Sequence, residues 1–133
     1  FERAVEEVAA RHPILRTSFR MDTFGVPLQL VHRQARAECT FSDLSALSEA
    51  ERTAAVDTLI ETQKRTPFDL ARAPLFRIFV QQSADDAFQI TWVDHHAILD
   101  GWSVASFFTE VFERYFHLYE GRDFDPAPIR SFY

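Results

Sequence analysis

The sequence predicts an α+β fold, a two-layer sandwich of helices on a mostly antiparallel sheet. Three observations predict it. Three stretches, at residues 1–11, 48–64 and 103–119, repeat apolar residues at helical spacing. Between them lie short β-rich runs that turn residues group in pairs. The resulting order is helix, hairpin, helix, hairpin, helix, which suits helices laid on a sheet rather than a doubly wound parallel one. The 133 residues fit one domain, and a 47% hydrophobic content with fourteen Phe supplies an aromatic core.

The first helix places Phe1, Val5, Val8 and Ala9 on one face, with Glu2, Arg3, Glu6 and Glu7 mostly on the other. Pro13 ends it by driving His12 out of the α region. Residues 14–20 read as a strand in which Leu15, Thr17 and Phe19 alternate with Arg16, Ser18 and Arg20. Thr23-Phe24-Gly25 supplies a turn, and residues 28–32 read as the partner strand. A weaker strand is expected over residues 37–41. Ser48 and Glu51 have capping-box spacing. They open a helix to about Lys64, with Val56, Leu59, Ile60 and Gln63 on one face, and Pro67 stops it. Residues 75–81 are apolar in both parities, as in a central strand covered on both sides. Ser83 to Asp86 make a surface turn, and residues 88–93 read as an antiparallel return strand. The last helix, Ser103 to about Tyr119, carries the stripe Val104, Phe107, Phe108, Val111, Phe112, Tyr115 and Tyr119. Gly121 stands where a C-terminal cap belongs.

Composition narrows the function. A formal net charge of −6 argues against a nucleic-acid binder. No apolar run approaches the ~18 residues that span a membrane, so no membrane partner is expected. Cys39 is the only cysteine, which excludes a disulfide framework and suits a cytoplasmic protein; it reads as a small apolar filler. Three glycines leave no phosphate-binding loop. Ser18, Ser103 and Ser106 lack a nucleophile elbow.

The chemistry gathers at one place. Residues 88–93 deliver His95 and His96, and Asp100-Gly101 follow before the last helix. An imidazole with an ordinary pKa of ~6.5 suits proton transfer at neutral pH. Adjacent residues of an extended chain face opposite ways, so one of the two histidines at most serves a given reacting group. Core histidines, metal ligands with Asp100, and a bare Asp-Gly turn are the competing readings. Metal is the weakest of these, because adjacent histidines chelate poorly and His12, His32 and His117 have no ligand spacing to them.

The stretch His95-His96-Ala97-Ile98-Leu99-Asp100-Gly101, extended by Trp102-Ser103, resembles the His-His-x-x-x-Asp-Gly motif of condensation domains of nonribosomal peptide synthetases, within the chloramphenicol acetyltransferase-like superfamily. Residues 11–19 are similar to that family's Arg-His-x-x-Leu-Arg-Thr-x-Phe motif. Residues 67–77 are similar to its Phe-Asp-Leu…Pro-Leu-Arg stretch. The resemblance implies a chloramphenicol acetyltransferase-like half-domain. Residues 1–121 would be the N-terminal lobe without its first strand, and residues 122–133 the start of a linker towards an absent C-terminal lobe.

It further implies amide formation between a carrier-bound acyl or peptidyl thioester and an aminoacyl thioester. His96 would be the catalytic histidine, as general base or as positioner of the acceptor amine. His95 would be structural, Asp100 would pair with Arg16, and Gly101 would admit the substrate closely and offer its amide to the oxyanion. The lobe would bind no cofactor or metal of its own, since the substrates ride on phosphopantetheine arms. Upstream and downstream carrier domains, the second lobe and neighbouring synthetase domains would be its partners, and the lobe alone would be inactive. An epimerisation domain, a free-standing carrier- or CoA-dependent acyltransferase, and a non-catalytic carrier-docking scaffold are the alternatives.

Overall fold

A computed structural model describes residues 1–21, 25–37, 39–126 and 128–129. Its elements are α1 (Glu2–Arg11), a 3-10 turn (Pro13–Arg16), β1 (Thr17–Arg20), β2 (Leu28–Val31), β3 (Cys39–Asp43), α2 (Glu49–Lys64), β4 (Phe76–Ala84), β5 (Ala87–Asp94) and α3 (Gly101–Tyr119). β1 and β2 form an antiparallel pair, with Thr17 opposite Val31 and Arg20 opposite Leu28. The other sheet has the order β3-β4-β5.

The three helices form as the periodicity predicts. α1 buries Ala4, Val5, Val8 and Ala9. α2 opens on the expected reciprocal cap: the Glu51 amide donates to Ser48 Oγ, and the Ser48 amide donates to Glu51 Oε2. α3 starts two residues before Ser103, because the Asp100 carboxylate accepts from the Ser103 amide at 2.8 Å and so takes the N-cap position. Gly121 ends α3 at a φ of +65°, a left-handed conformation that lacks a Cβ penalty only for glycine.

One expectation is corrected. Residues 13–16 are a 3-10 turn and not strand. Pro13 fixes the entry, the Leu15 amide returns to the His12 carbonyl, and the Thr17 hydroxyl donates to the Pro13 carbonyl at 2.9 Å. The weak strand forms as β3 and runs parallel to β4, with Cys39 opposite Ile78 and Asp43 opposite Gln82. Parallel neighbours need a long crossover, and α2 supplies it. The β4–β5 hairpin is antiparallel as expected, with Phe76 opposite Asp94. Thr23 and Phe24 of the first turn, Glu38 of the weak strand, and Ser131–Tyr133 lie outside the described residues.

The core lies between one face of the larger sheet and the pair α1–α3. Phe76, Ile78 and Val80 of β4 meet Val5 and Val8 of α1 and Phe107 and Val111 of α3. Aromatic rings thicken this layer: Phe76 stacks on Trp92 at 4.9 Å between centroids, and Trp92 meets Phe107 at 4.9 Å and Phe108 at 5.4 Å. The stripe on α3 fades at its end, where Tyr119 is exposed. On the opposite face of the sheet, α2 buries no residue. Its expected face of Val56, Leu59, Ile60 and Gln63 is half-buried, and polar ties add to it: Arg52 donates to the Ser83 carbonyl at 2.6 Å, and Arg77 donates to Gln63 Oε1 and, just past the helix, to the Thr66 and Pro67 carbonyls. Residues 122–126, expected as linker, turn back onto α3. The His117 ring meets the Asp123 carbonyl at 2.7 Å, and Phe124 lies 5.2 Å from the His117 ring and 5.3 Å from the Arg114 guanidinium.

Candidate active site at the histidine turn

The turn between β5 and α3 begins as a continuation of the sheet, since the His95 amide donates to the Leu75 carbonyl at 2.9 Å. It then closes on itself through an Ile98 amide to His95 carbonyl bond of 3.0 Å. Ile98 and Leu99 are buried and anchor the loop in the core. The polar residues around them are left at the surface, with His96, Asp100 and Gly101 all exposed.

The two histidines divide as alternation predicts. His95 is half-buried; its Nδ1 accepts the Ala97 amide at 3.1 Å, which fixes that nitrogen as the unprotonated one. Its ring stands edge-on to Phe68 at 6.3 Å. Both of its contacts hold the turn. His96 is exposed, and its imidazole has no hydrogen bond among the described residues. A group with both ring nitrogens uncommitted can take or give a proton.

Asp100 differs from its expected role. Its carboxylate is spent on the α3 cap, and the hydrogen bonds from Ser103, with a smaller contribution from nearby His96, hold its pKa below the ordinary 3.8. The guanidinium of Arg16 is turned elsewhere, donating to the His32 carbonyl and, at 3.4 Å, to the Arg33 carbonyl. The Arg16–Asp100 pairing is therefore not formed in this structure. The cap satisfies Asp100 locally, and Arg16 staples the 3-10 turn to the end of β2.

Gly101 is the first residue of α3. A Cβ built on it meets nothing within 4 Å, and its φ is not left-handed. The chain's own packing thus gives no reason for a glycine here. The first amides of a helix have no intrahelical acceptor and carry the positive end of its dipole. One of them is satisfied by Asp100. Beside Gly101, Trp102 is 86% exposed.

Three features escaped the sequence reading. Arg11 and His12, part of the second motif, both bind Glu110 of α3, at 2.8 and 2.6 Å. Ser18 and His32 pair at 2.7 Å, but Ser18 is fully buried, so this pair holds the hairpin and is closed to any substrate. The Trp92 indole donates to Asp94 Oδ1 at 2.7 Å. All three join residues by side chains whose directions need the fold. Cys39 is half-buried at the start of β3, and desolvation pushes its thiol up to about 11, as suits a filler. Among the described residues, no three His, Cys, Asp or Glu side chains gather as a metal cluster. No helix there is long and apolar enough to cross a membrane.

The histidine turn lies between a hairpin and a capped helix on an α+β layer, and the fold is of the chloramphenicol acetyltransferase-like class. Similarity to known proteins makes the class particular: residues 1–133 match the condensation domain family, and the chain belongs to it. It is 35% identical over 109 residues to chondramide synthase cmdD of Chondromyces crocatus, a match covering 82% of this chain and 3% of that protein. It is also 33% identical over 122 residues to gramicidin S synthase 2 of Brevibacillus brevis, covering 92% of this chain and 3% of that one.

Solved structures agree. The chain overlays the first condensation domain of the calcium-dependent antibiotic synthetase, in complex with a substrate analogue, with a TM-score of 0.84 and 24% identity over 95% of this chain and 30% of that one. A four-domain nonribosomal peptide synthetase bound to AMP and glycine gives a TM-score of 0.70 and 28% identity over 85% of this chain and 8% of that one. The chain thus spans a few per cent of its curated relatives and under a third of the solved condensation domain.

Proposed function

We propose that the chain is the N-terminal, histidine-bearing lobe of a condensation domain that joins two carrier-bound thioesters through an amide bond. The observation that carries this reading is the asymmetry of the turn: His95 is bonded into it, and His96 stands exposed and unbonded beside an unhindered Gly101. In the reaction, the acceptor's α-amine attacks the donor thioester carbonyl and the phosphopantetheine thiol leaves. His96 holds the amine or accepts its proton. The amides at the start of α3, Gly101 first, face the space where the carbonyl oxygen gathers charge. An amine is already nucleophilic towards a thioester, so much of the acceleration comes from holding two tethered reactants together, with effective molarities of about 10⁵–10⁸ M in well-oriented cases.

The substrates arrive on the arms of upstream and downstream carrier domains, the second lobe supplies the other wall, and the protein works in the cytoplasm. The test is His96→Ala in the full condensation domain with its two loaded carriers. Amide formation should fall by about 10²–10⁴-fold if His96 transfers a proton. Undiminished amide formation refutes the assignment of His96.

A further inference from the structure

The turn that presents His96 has two arms, and one side chain touches both. On the entering arm, the Trp92 indole N–H donates to Oδ1 of Asp94, the last residue of β5 and the neighbour of His95. On the leaving arm, the same indole packs on Phe107 and Phe108 of α3, the helix that Asp100 caps. Its other neighbour is Phe76, whose backbone lies opposite Asp94 in the β4–β5 ladder. Trp92 is half-buried, so its N–H would lose an acceptor in part-buried surroundings if Asp94 moved. We infer that Trp92 is a positioning residue for the histidine turn, acting through its hydrogen bond to Asp94 on one arm and its ring contacts with α3 on the other.

The physical reason is leverage. The His95 amide ties the entering arm to Leu75 just beyond the last ladder pair, Phe76 with Asp94, and these are backbone ties only. The indole adds a second point of attachment next to His95 and locks it to the aromatic layer, which is rigid because its rings interlock. Asp94 works here as an acceptor, so its charge is secondary to its oxygen. The inference rests on the proposed amide-forming reading of His96.

The experiment uses the full condensation domain with loaded carriers and measures single-turnover amide formation. Trp92→Phe keeps an aromatic ring in the layer, removes the N–H and gives up part of the indole's contact; Asp94→Ala removes the acceptor; Asp94→Asn keeps an acceptor oxygen at the same place. Trp92→Phe and Asp94→Ala should each slow the step by about 10-fold, in the range that small misplacements of reacting groups cause. The double variant should be no slower than either single one, because both remove one bond. Asp94→Asn should restore the rate to within about 2-fold of the parent, which loss of folding stability alone would not predict.

Parent-like rates for Trp92→Phe, multiplicative losses in the double variant, or an Asp94→Asn variant as slow as Asp94→Ala would each overturn the inference. A parent domain that forms no amide would instead overturn the functional reading.

Discussion

Replacing Leu75 with Ala tests how firmly the histidine turn is seated. Leu75 is fully buried, immediately before β4, and its carbonyl receives the His95 amide. The substitution removes about three carbons from the core. At about 0.8 kcal/mol per buried methylene, the transfer part alone is about 2.4 kcal/mol. The residual cavity raises this towards about 3–4 kcal/mol, within the range for Leu→Ala at sealed sites. That is a large share of the ~5–15 kcal/mol that holds a domain together. Urea unfolding is the assay: with a slope of about 2 kcal/mol/M, the midpoint should fall by about 1.5–2 M. Leu75→Met, which nearly conserves volume, should cost under about 1.5 kcal/mol. Hydrogen exchange at the His95 amide should accelerate in the Ala variant, since its acceptor sits on the residue that lost its packing. A loss below about 1 kcal/mol, or a Met variant as unstable as the Ala one, refutes the claim that the turn hangs from a closely packed anchor.

Three further outcomes follow from the site and its supports. Ser48→Ala should destabilise the chain by about 1 kcal/mol in urea unfolding, because it removes one half of the reciprocal cap on α2. The Asp100 carboxyl titrates below its ordinary value in the folded chain, so the folded state binds this proton less readily than the unfolded one. Its contribution is therefore fully present at neutral pH and is lost as pH falls from about the ordinary 3.8 through the lowered folded value. Asp100→Ala should accordingly lower the urea midpoint at pH 7 more than at pH 3. The Cys39 thiol, pushed up to about 11, should react slowly with iodoacetamide at pH 8 and gain speed only as pH nears that value; fast labelling at pH 8 would contradict its burial.

What the sequence made legible depends on range. The α2 cap was readable because Ser48 and Glu51 are three residues apart and need no other element. The β4–β5 hairpin was readable for the same reason, through a two-residue turn. The parallel partner of β4 was not, because its pairing spans α2 and leaves no local mark in residues 39–43. At the site, alternation alone made it legible that the two histidines face differently, and the family resemblance supplied which of them to single out. The Asp100 cap was also open to a local reading, since an Asp three residues before Ser103 suits an N-cap, but the family resemblance drew that carboxylate towards Arg16. The 3-10 turn was hidden because Leu15 and Thr17 satisfy a strand's alternation while Pro13 and the Thr17 hydroxyl select a tighter path. The Trp92–Asp94 bond lies on a strand, where i and i+2 share a face, but choosing a partner for an indole requires knowing which face meets α3.

The thin attachment of α2 divides the chain's tolerance to change. On the α1–α3 side, almost any substitution disturbs a layer of packed rings and valines. On the other side, a half-buried apolar edge of α2 and two guanidinium groups carry the attachment, and the guanidinium groups reach mainly backbone carbonyls. Carbonyls are the same whatever side chain hangs from them. The outward residues of α2 can therefore be rewritten in size, charge and shape while Arg52 and Arg77 keep their acceptors. The molecule thus carries a constrained face around the histidine turn and, on its back, a surface whose outward residues can change without loss of the attachment.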